Sequence, residues 1–298
     1  MRTIPLFLTL LVVVPSSFSQ LTETADWTVQ LSSQYRVIPN IVYSTANNYE
    51  CKLDVYARQG DPAPVLIYIH GGGWVAGTKE NATLGIIPYL EMGFSVVNVE
   101  YRLARVSLAP GAVEDCRQAL RWVRKNAKEY GFDTTKIVVT GGSAGGHLAL
   151  MTGMLTPEAG LDASREWDQK PIAPRVSAII NFYGITDVAD LLSGPNRQEY
   201  AVSWIGSNEN PVAVAKRVSP LTYIRKNLPP ILTIHGDKDG LVPYSHAVRL
   251  HDALNKAGVK NQLLTIPGGG HGGFSPDEMA KIFGTIREFL GSNGIVKQ

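Results

Sequence analysis

The stretch Lys136-Ile137-Val138-Val139-Thr140-Gly141-Gly142-Ser143-Ala144-Gly145-Gly146-His147 decides how this chain is read. Its first half is an apolar, β-branched run, the pattern of a strand covered on both faces. Its second half opens a helix predicted over Ala144–Met154. Between them Ser143 stands on a tight turn, where only small neighbours such as Gly141 and Gly145 relieve the crowding. A turn of this kind lifts the hydroxyl above the sheet, and the helix N-terminus behind it stabilises negative charge. A lone Gly-x-Ser-x-Gly is common in structural turns. Held between a buried strand and a helix, it points to a nucleophile.

Outward from this turn, strands and helices alternate. Strands are predicted at 40–44, 51–57, 64–70, 94–101, 136–141, 176–183, 230–235 and 262–267. Runs such as Val65-Leu66-Ile67-Tyr68-Ile69 and Ser95-Val96-Val97-Asn98-Val99 are almost continuously apolar, as in parallel strands with helices on both sides. Helical periodicity fills the gaps at 112–130, Ala144–Met154, 244–257 and 276–290, with Gly131 as a C-terminal stop. This alternation predicts an α/β fold, a mostly parallel eight-stranded sheet flanked by helices. The first two strands have no helix between them and are expected to form an antiparallel start. Residues 184–228 lack clear alternation, apart from short helical patterns at 187–192 and 212–218. They read as a small lid-like excursion over one end of the sheet, within a single domain covering 20–298.

Three further motifs fall at predicted strand ends. His70-Gly71-Gly72-Gly73-Trp74 offers backbone N–H groups free of side-chain obstruction. The N–H groups of Gly72 and Gly73, with that of Ala144, form a candidate oxyanion hole, and His70 is a brace for the loop. His235-Gly236-Asp237-Lys238-Asp239-Gly240-Leu241-Val242-Pro243 brings two candidate acids, Asp237 and Asp239; Asp187 is a third. Ligands of open α/β sheets bind at the carboxyl ends of strands, where all of these lie. Gly268-Gly269-Gly270-His271-Gly272-Gly273 puts a histidine in a glycine loop from which it can reach both Ser143 and an acid. The chain order Ser…Asp…His is that of the α/β-hydrolases. His246 and His251 fall on an amphipathic helix as surface or packing residues, and His147 braces the nucleophile turn. Trp74, Tyr183, Leu241 and Val242 flank these loops and are candidate substrate-binding walls.

Composition narrows the class. The 298 residues are 44% hydrophobic and 18% charged, enough for one large core. A formal net charge of +2 and the absence of basic runs argue against a nucleic-acid partner. Arg2, the apolar run 4–14 and the small residues Ser17 and Ser19 read as a cleavable secretory signal spanning 1–19, giving a secreted or periplasmic protein. No later segment is long and apolar enough to insert stably in a membrane. Cys51 and Cys116 both lie on apolar faces as small core residues; export also permits a bond between them. Asn81-Ala82-Thr83 is a glycosylation sequon, meaningful where the host glycosylates exported proteins. No His/Cys/carboxylate cluster suggests a metal, and no organic cofactor is called for.

Taken together, His-Gly-Gly-Gly-Trp (70–74), Gly-Gly-Ser-Ala-Gly-Gly-His (141–147), His-Gly-x-x-Asp-x-x-Val-Pro (235–243) and Gly-His-Gly-Gly-Phe (270–274) resemble the carbohydrate- and feruloyl-esterase-like, or BD-FAE-like, branch of the α/β-hydrolases. That branch is related to the hormone-sensitive-lipase and kynurenine-formamidase families. The resemblance covers nearly all of the chain after the signal and implies the α/β-hydrolase fold, with Asp239 as the acid. Two departures from the sister families favour this branch. Gly142 stands where hormone-sensitive-lipase-like enzymes usually carry Asp, and Gly73 where formamidases usually carry an aromatic residue; the long N-terminal helical cap of the former is also lacking.

The expected function is hydrolysis of small-molecule carboxylic esters with short acyl groups, acetylated or feruloylated carbohydrate among them. Ser143 acts as nucleophile, His271 as base and Asp239 as its support. An arylformamidase or amidase and a serine exopeptidase would use the same triad, so the motifs do not separate them. A non-catalytic binding protein on this fold would be expected to have lost Ser, His or Asp, and all three are present.

Overall fold

The computed structural model describes residues 22–161 and 175–297; the signal and cleavage site read at 1–19 lie outside them. The chain begins with α1 (Glu23–Ser33), then β1 (Tyr35–Ala46), β2 (Tyr49–Arg58) and β3 (Ala63–Ile69). There follow α2 (Ile87–Glu91), β4 (Ser95–Val99), α3 (Gly111–Lys125), α4 (Ala127–Tyr130), β5 (Phe132–Gly142) and α5 (Ala144–Met154). The second half contains β6 (Ala178–Phe182), α6 (Glu199–Ile205), α7 (Pro211–Arg217), β7 (Ile231–Gly236), α8 (Ser245–Lys256), β8 (Asn261–Ile266) and α9 (Pro276–Ser292).

All eight strands join one sheet in the order β1-β2-β4-β3-β5-β6-β7-β8. β1 pairs antiparallel with β2 and β2 antiparallel with β4, while the remaining neighbours are parallel. The apolar runs divide their residues between two cores. Val65, Ile67, Ile69, Ile137 and Val139 face a large core with α3, α5 and α8, while Leu66, Val96 and Val138 face a second core with α2 and α9. Burial on both faces is why these strands read as unbroken apolar runs instead of alternating ones. Cys51 and Cys116 are free thiols in the large core.

The predicted helix over 112–130 is two helices, broken at Asn126 before Gly131 turns left-handed at φ 66°. α5 is buried along its whole length, pressed against β3, β5 and β6, which explains why its sequence has no polar face. In the excursion after β6, α7 and a 3₁₀ turn at Ala189–Leu191 fall on the helical patterns read at 212–218 and 187–192, and α6 is an addition to them. Loops after β3, β5, β7 and β8 gather Gly71–Gly73, Ser143, Asp239 and His271 at the carboxyl edge of the sheet.

Candidate active site

Ser143 sits between β5 and α5 with φ 57° and ψ −123°, a conformation that is an outlier for a residue with a side chain. The turn is held by Ser143 N–H donating to Phe182 O at 2.9 Å and His147 N–H donating to Ser143 O at 3.0 Å. It also requires close passage of β3: a Cβ on Gly145 would lie 2.1 Å from Ile69 O. Ser143 and His271 line one cleft of about 470 Å³.

His271 extends from the loop after β8, and its Nδ1 is 2.7 Å from Oδ2 of Asp239. Asp239 is fixed on every side. Its Oδ1 accepts the N–H groups of Leu241 and Val242 at 2.8 and 2.9 Å, and Nε2 of His235 approaches Oδ2 to 3.1 Å. Burial alone would raise the Asp239 carboxyl, but hydrogen bonds from His235, His271 and the two N–H groups outweigh it and hold it well below the carboxylate range. The carboxylate is therefore charged and can orient the imidazole and stabilise its protonated form. The other two acids are engaged elsewhere. Asp237 accepts the N–H of Gly268, and Asp187 pairs with Arg249.

In the loop after β3, Gly72 (φ 115°) and Gly73 (φ 58°) are both left-handed, and a Cβ on Gly72 would fall 2.0 Å from Ala76 O. Among the described residues, the N–H groups of Gly72, Gly73 and Ala144 have no hydrogen-bond acceptor. His70 Nδ1 donates to Gly71 O at 2.7 Å, its ring stacks on Tyr101 at 4.3 Å, and Tyr101 Oη donates to His70 O. Burial lowers its imidazole to about 4, so it is neutral near pH 7.

Two of the four expected substrate walls line the cleft, namely Tyr183 and Leu241. Trp74 and Val242 do not. Trp74 is fully buried at φ 61°, stacked on Trp204 of α6 at 4.1 Å, with Nε1 donating to His147 Nδ1 at 3.2 Å. His147 in turn uses Nε2 to donate to Val218 O at 2.6 Å, and burial lowers its imidazole to about 4. Trp74 thus ties the glycine loop to the nucleophile helix and to the excursion. The left-handed turn at Gly73 and Trp74 directs the indole inward, a reversal that spacing along the strand does not reveal. Val242 is buried as well and meets the acid through its backbone.

Sequence reasoning assigned no place in the site to Tyr200, Tyr68, Asn81 or His235. Tyr200 borders the cleft from α6, and its Oη donates to Leu241 O at 3.1 Å. The spacing of Tyr200 and Trp204, one helical turn apart, was the available signal. Asn81 is exposed at the mouth of the cleft, which places the sequon beside the site.

The BD-FAE family profile matches residues 53–254. Esterase LipC of Mycobacterium tuberculosis is 31% identical over 231 residues, covering 74% of this chain and 56% of that protein. The chain spans about half the length of the mycobacterial relatives it matches. An ethyl acetate hydrolase of Pseudomonas putida is 32% identical over 252 residues, 78% of this chain and 74% of that one. The propionate-bound structure of Thermogutta terrifontis esterase 2 aligns with a TM-score of 0.73 at 28% identity, covering 89% of this chain and 96% of the other.

Proposed function

The chain belongs to the BD-FAE family of α/β-hydrolase serine esterases, and on that footing we propose that it hydrolyses small carboxylic esters with short acyl groups through Ser143, His271 and Asp239. The observation that carries the reading is the 2.7 Å contact of His271 with Asp239 beside a cleft that also contains Ser143 on its strained turn. His271 removes the Ser143 proton as Oγ attacks the ester carbonyl. The oxyanion collects hydrogen bonds from Gly72, Gly73 and Ala144 N–H, none of which is engaged by an acceptor among the described residues. His271 then gives the proton to the leaving alcohol, and water attacks the acyl-enzyme by the reverse route. Asp239 keeps Nδ1 protonated and offsets the imidazolium charge.

The short-acyl part of the reading is supported by the residues beside the glycine loop, where Gly73, Tyr200 and Leu241 line the cleft. The printed names of two relatives, an ethyl acetate hydrolase and a propionate-bound esterase, point the same way. A panel of aryl esters of graded acyl length, acetylated sugars, formanilides and aminoacyl anilides tests the assignment. Turnover confined to esters is expected; faster turnover of formanilides or aminoacyl anilides would contradict it.

A further inference from the structure

A second cavity of about 380 Å³ adjoins the cleft on the far side of Tyr183. Tyr68, Gly142 and Tyr183 belong to the walls of both. The new walls are apolar: Tyr89, Phe182, Phe274, Met279 and Phe283. Their rings stand at steep angles, Tyr89 to Phe283 at 78° with centroids 5.7 Å apart and Tyr183 to Phe274 at 66° and 6.0 Å. Such edge-to-face surroundings suit an inserted planar ring, and an apolar cavity of about 150 Å³ is already enough to hold benzene. Phe274, Met279 and Phe283 are half-buried and leave the cavity open to the outside.

Tyr183 forms the boundary between the two cavities, with its hydroxyl packed against two glycines. A Cβ on Gly142 would lie 3.1 Å from Tyr183 Oη, and one on Gly272 would lie 3.0 Å from the same atom. The second cavity also lies on a definite side of the reaction. Gly272, Gly273 and Phe274 directly follow His271, the group that must hand its proton to the leaving oxygen. A group hanging from that oxygen starts beside His271, whose ring lies 4.7 Å from that of Tyr183 on the wall shared by the two cavities.

We infer that this aromatic cavity receives an aryl group on the alcohol side of the ester, making arylmethyl esters of short acids preferred substrates; the inference rests on the esterase reading above. Benzyl acetate and ethyl acetate share an acyl group and have alcohols of similar acidity, so their kcat/KM ratio reports the cavity. The ratio is expected to favour benzyl acetate by about tenfold or more, as burial of a phenyl ring allows. Met279→Trp, which fills the cavity from α9, should lower that ratio about tenfold, whereas Met279→Leu should keep it. Phe283→Ala, which widens the cavity, should raise the rate on naphthylmethyl acetate relative to benzyl acetate. A wild-type ratio near one, or a ratio indifferent to both Met279→Trp and Phe283→Ala, would overturn the inference. So would a loss in Met279→Trp that falls on ethyl phenylacetate instead, since that places the cavity on the acyl side. Failure to hydrolyse any of these esters would overturn the esterase reading, and this one with it.

Discussion

Nδ1 of His271 and Oδ2 of Asp239 lie 2.7 Å apart, and no other candidate acid is within the same reach. Asp239 is immobilised by two backbone N–H groups and by His235, so the imidazole meets a carboxylate with little freedom to turn. Asp239→Asn is expected to lower kcat by about 10³- to 10⁴-fold with the fold intact, because the amide cannot hold the same tautomer. Asp237→Asn and Asp187→Asn should change kcat by less than about tenfold, since they release only a loop N–H and a surface arginine. Steady-state kinetics of the three folded variants check this, and a larger loss in Asp187→Asn would relocate the acid.

Trp74 separates a wall from an anchor. A pocket wall could be truncated with an effect on KM alone. As a buried clamp between the glycine loop, His147 and Trp204, Trp74→Ala should instead cost about 3–5 kcal/mol of stability and lower kcat by loosening the oxyanion donors. Urea unfolding with parallel kinetics distinguishes the two; normal stability with only a raised KM would contradict the anchor.

The fold was largely legible in the sequence because its signals are local. Runs such as 65–69 and 137–139 are apolar on both sides, and each strand was found within a few residues of its observed span. β1 begins at Tyr35, earlier than its sequence suggests, because that stretch is mostly exposed and carries no apolar alternation. α1 and α2 were missed: α1 has no buried residue, and α2 is too short to show a period. Ser143, Asp239 and His271 were readable as motif positions, and the structure brings all three to one edge of the sheet. The walls were not, because wall membership depends on how distant segments meet. Trp74 ends a run of three positive-φ residues, Gly72, Gly73 and Trp74, and Tyr200 arrives from an excursion whose helical spacing does not reveal its position over Gly73.

Stability should depend on pH through buried imidazoles, since burial lowers those of His70, His147, His246 and His251. His70 and His147 are each lowered by burial to about 4, whereas an unfolded histidine titrates near 6.5. Between these values the unfolded chain binds more protons, so their contribution is fully present above about pH 6.5 and is lost as pH falls toward 4. At roughly 1.4 kcal/mol per decade, each accounts for on the order of 3 kcal/mol. Asp239, held low in the folded state, withdraws its share only below about pH 4. Urea midpoints from pH 4 to 8 should therefore fall steeply below 6.5, and a flat profile across that window would contradict neutral burial of both rings.

The proposed short-acyl preference has a direct test in acyl length. Each methylene gains roughly 0.8 kcal/mol only while it is buried against apolar surface, and Tyr200 and Leu241 are the apolar walls proposed for the acyl side. The kcat/KM of p-nitrophenyl esters should be highest from acetyl to butyryl and fall clearly by octanoyl. A steady rise to dodecanoyl would reveal a longer acyl channel than the cleft provides.

In the proposed mechanism an acyl group passes through Ser143. Mixing the protein with p-nitrophenyl acetate, quenching in acid within the first turnover and mapping the peptides by mass spectrometry tests it directly. One acetyl group on the peptide carrying Ser143 is expected, with no acetylation of that peptide and turnover reduced by several orders of magnitude in folded Ser143→Ala. An acetyl group trapped on another residue, or a folded Ser143→Ala protein that retains near-normal turnover, would contradict the account.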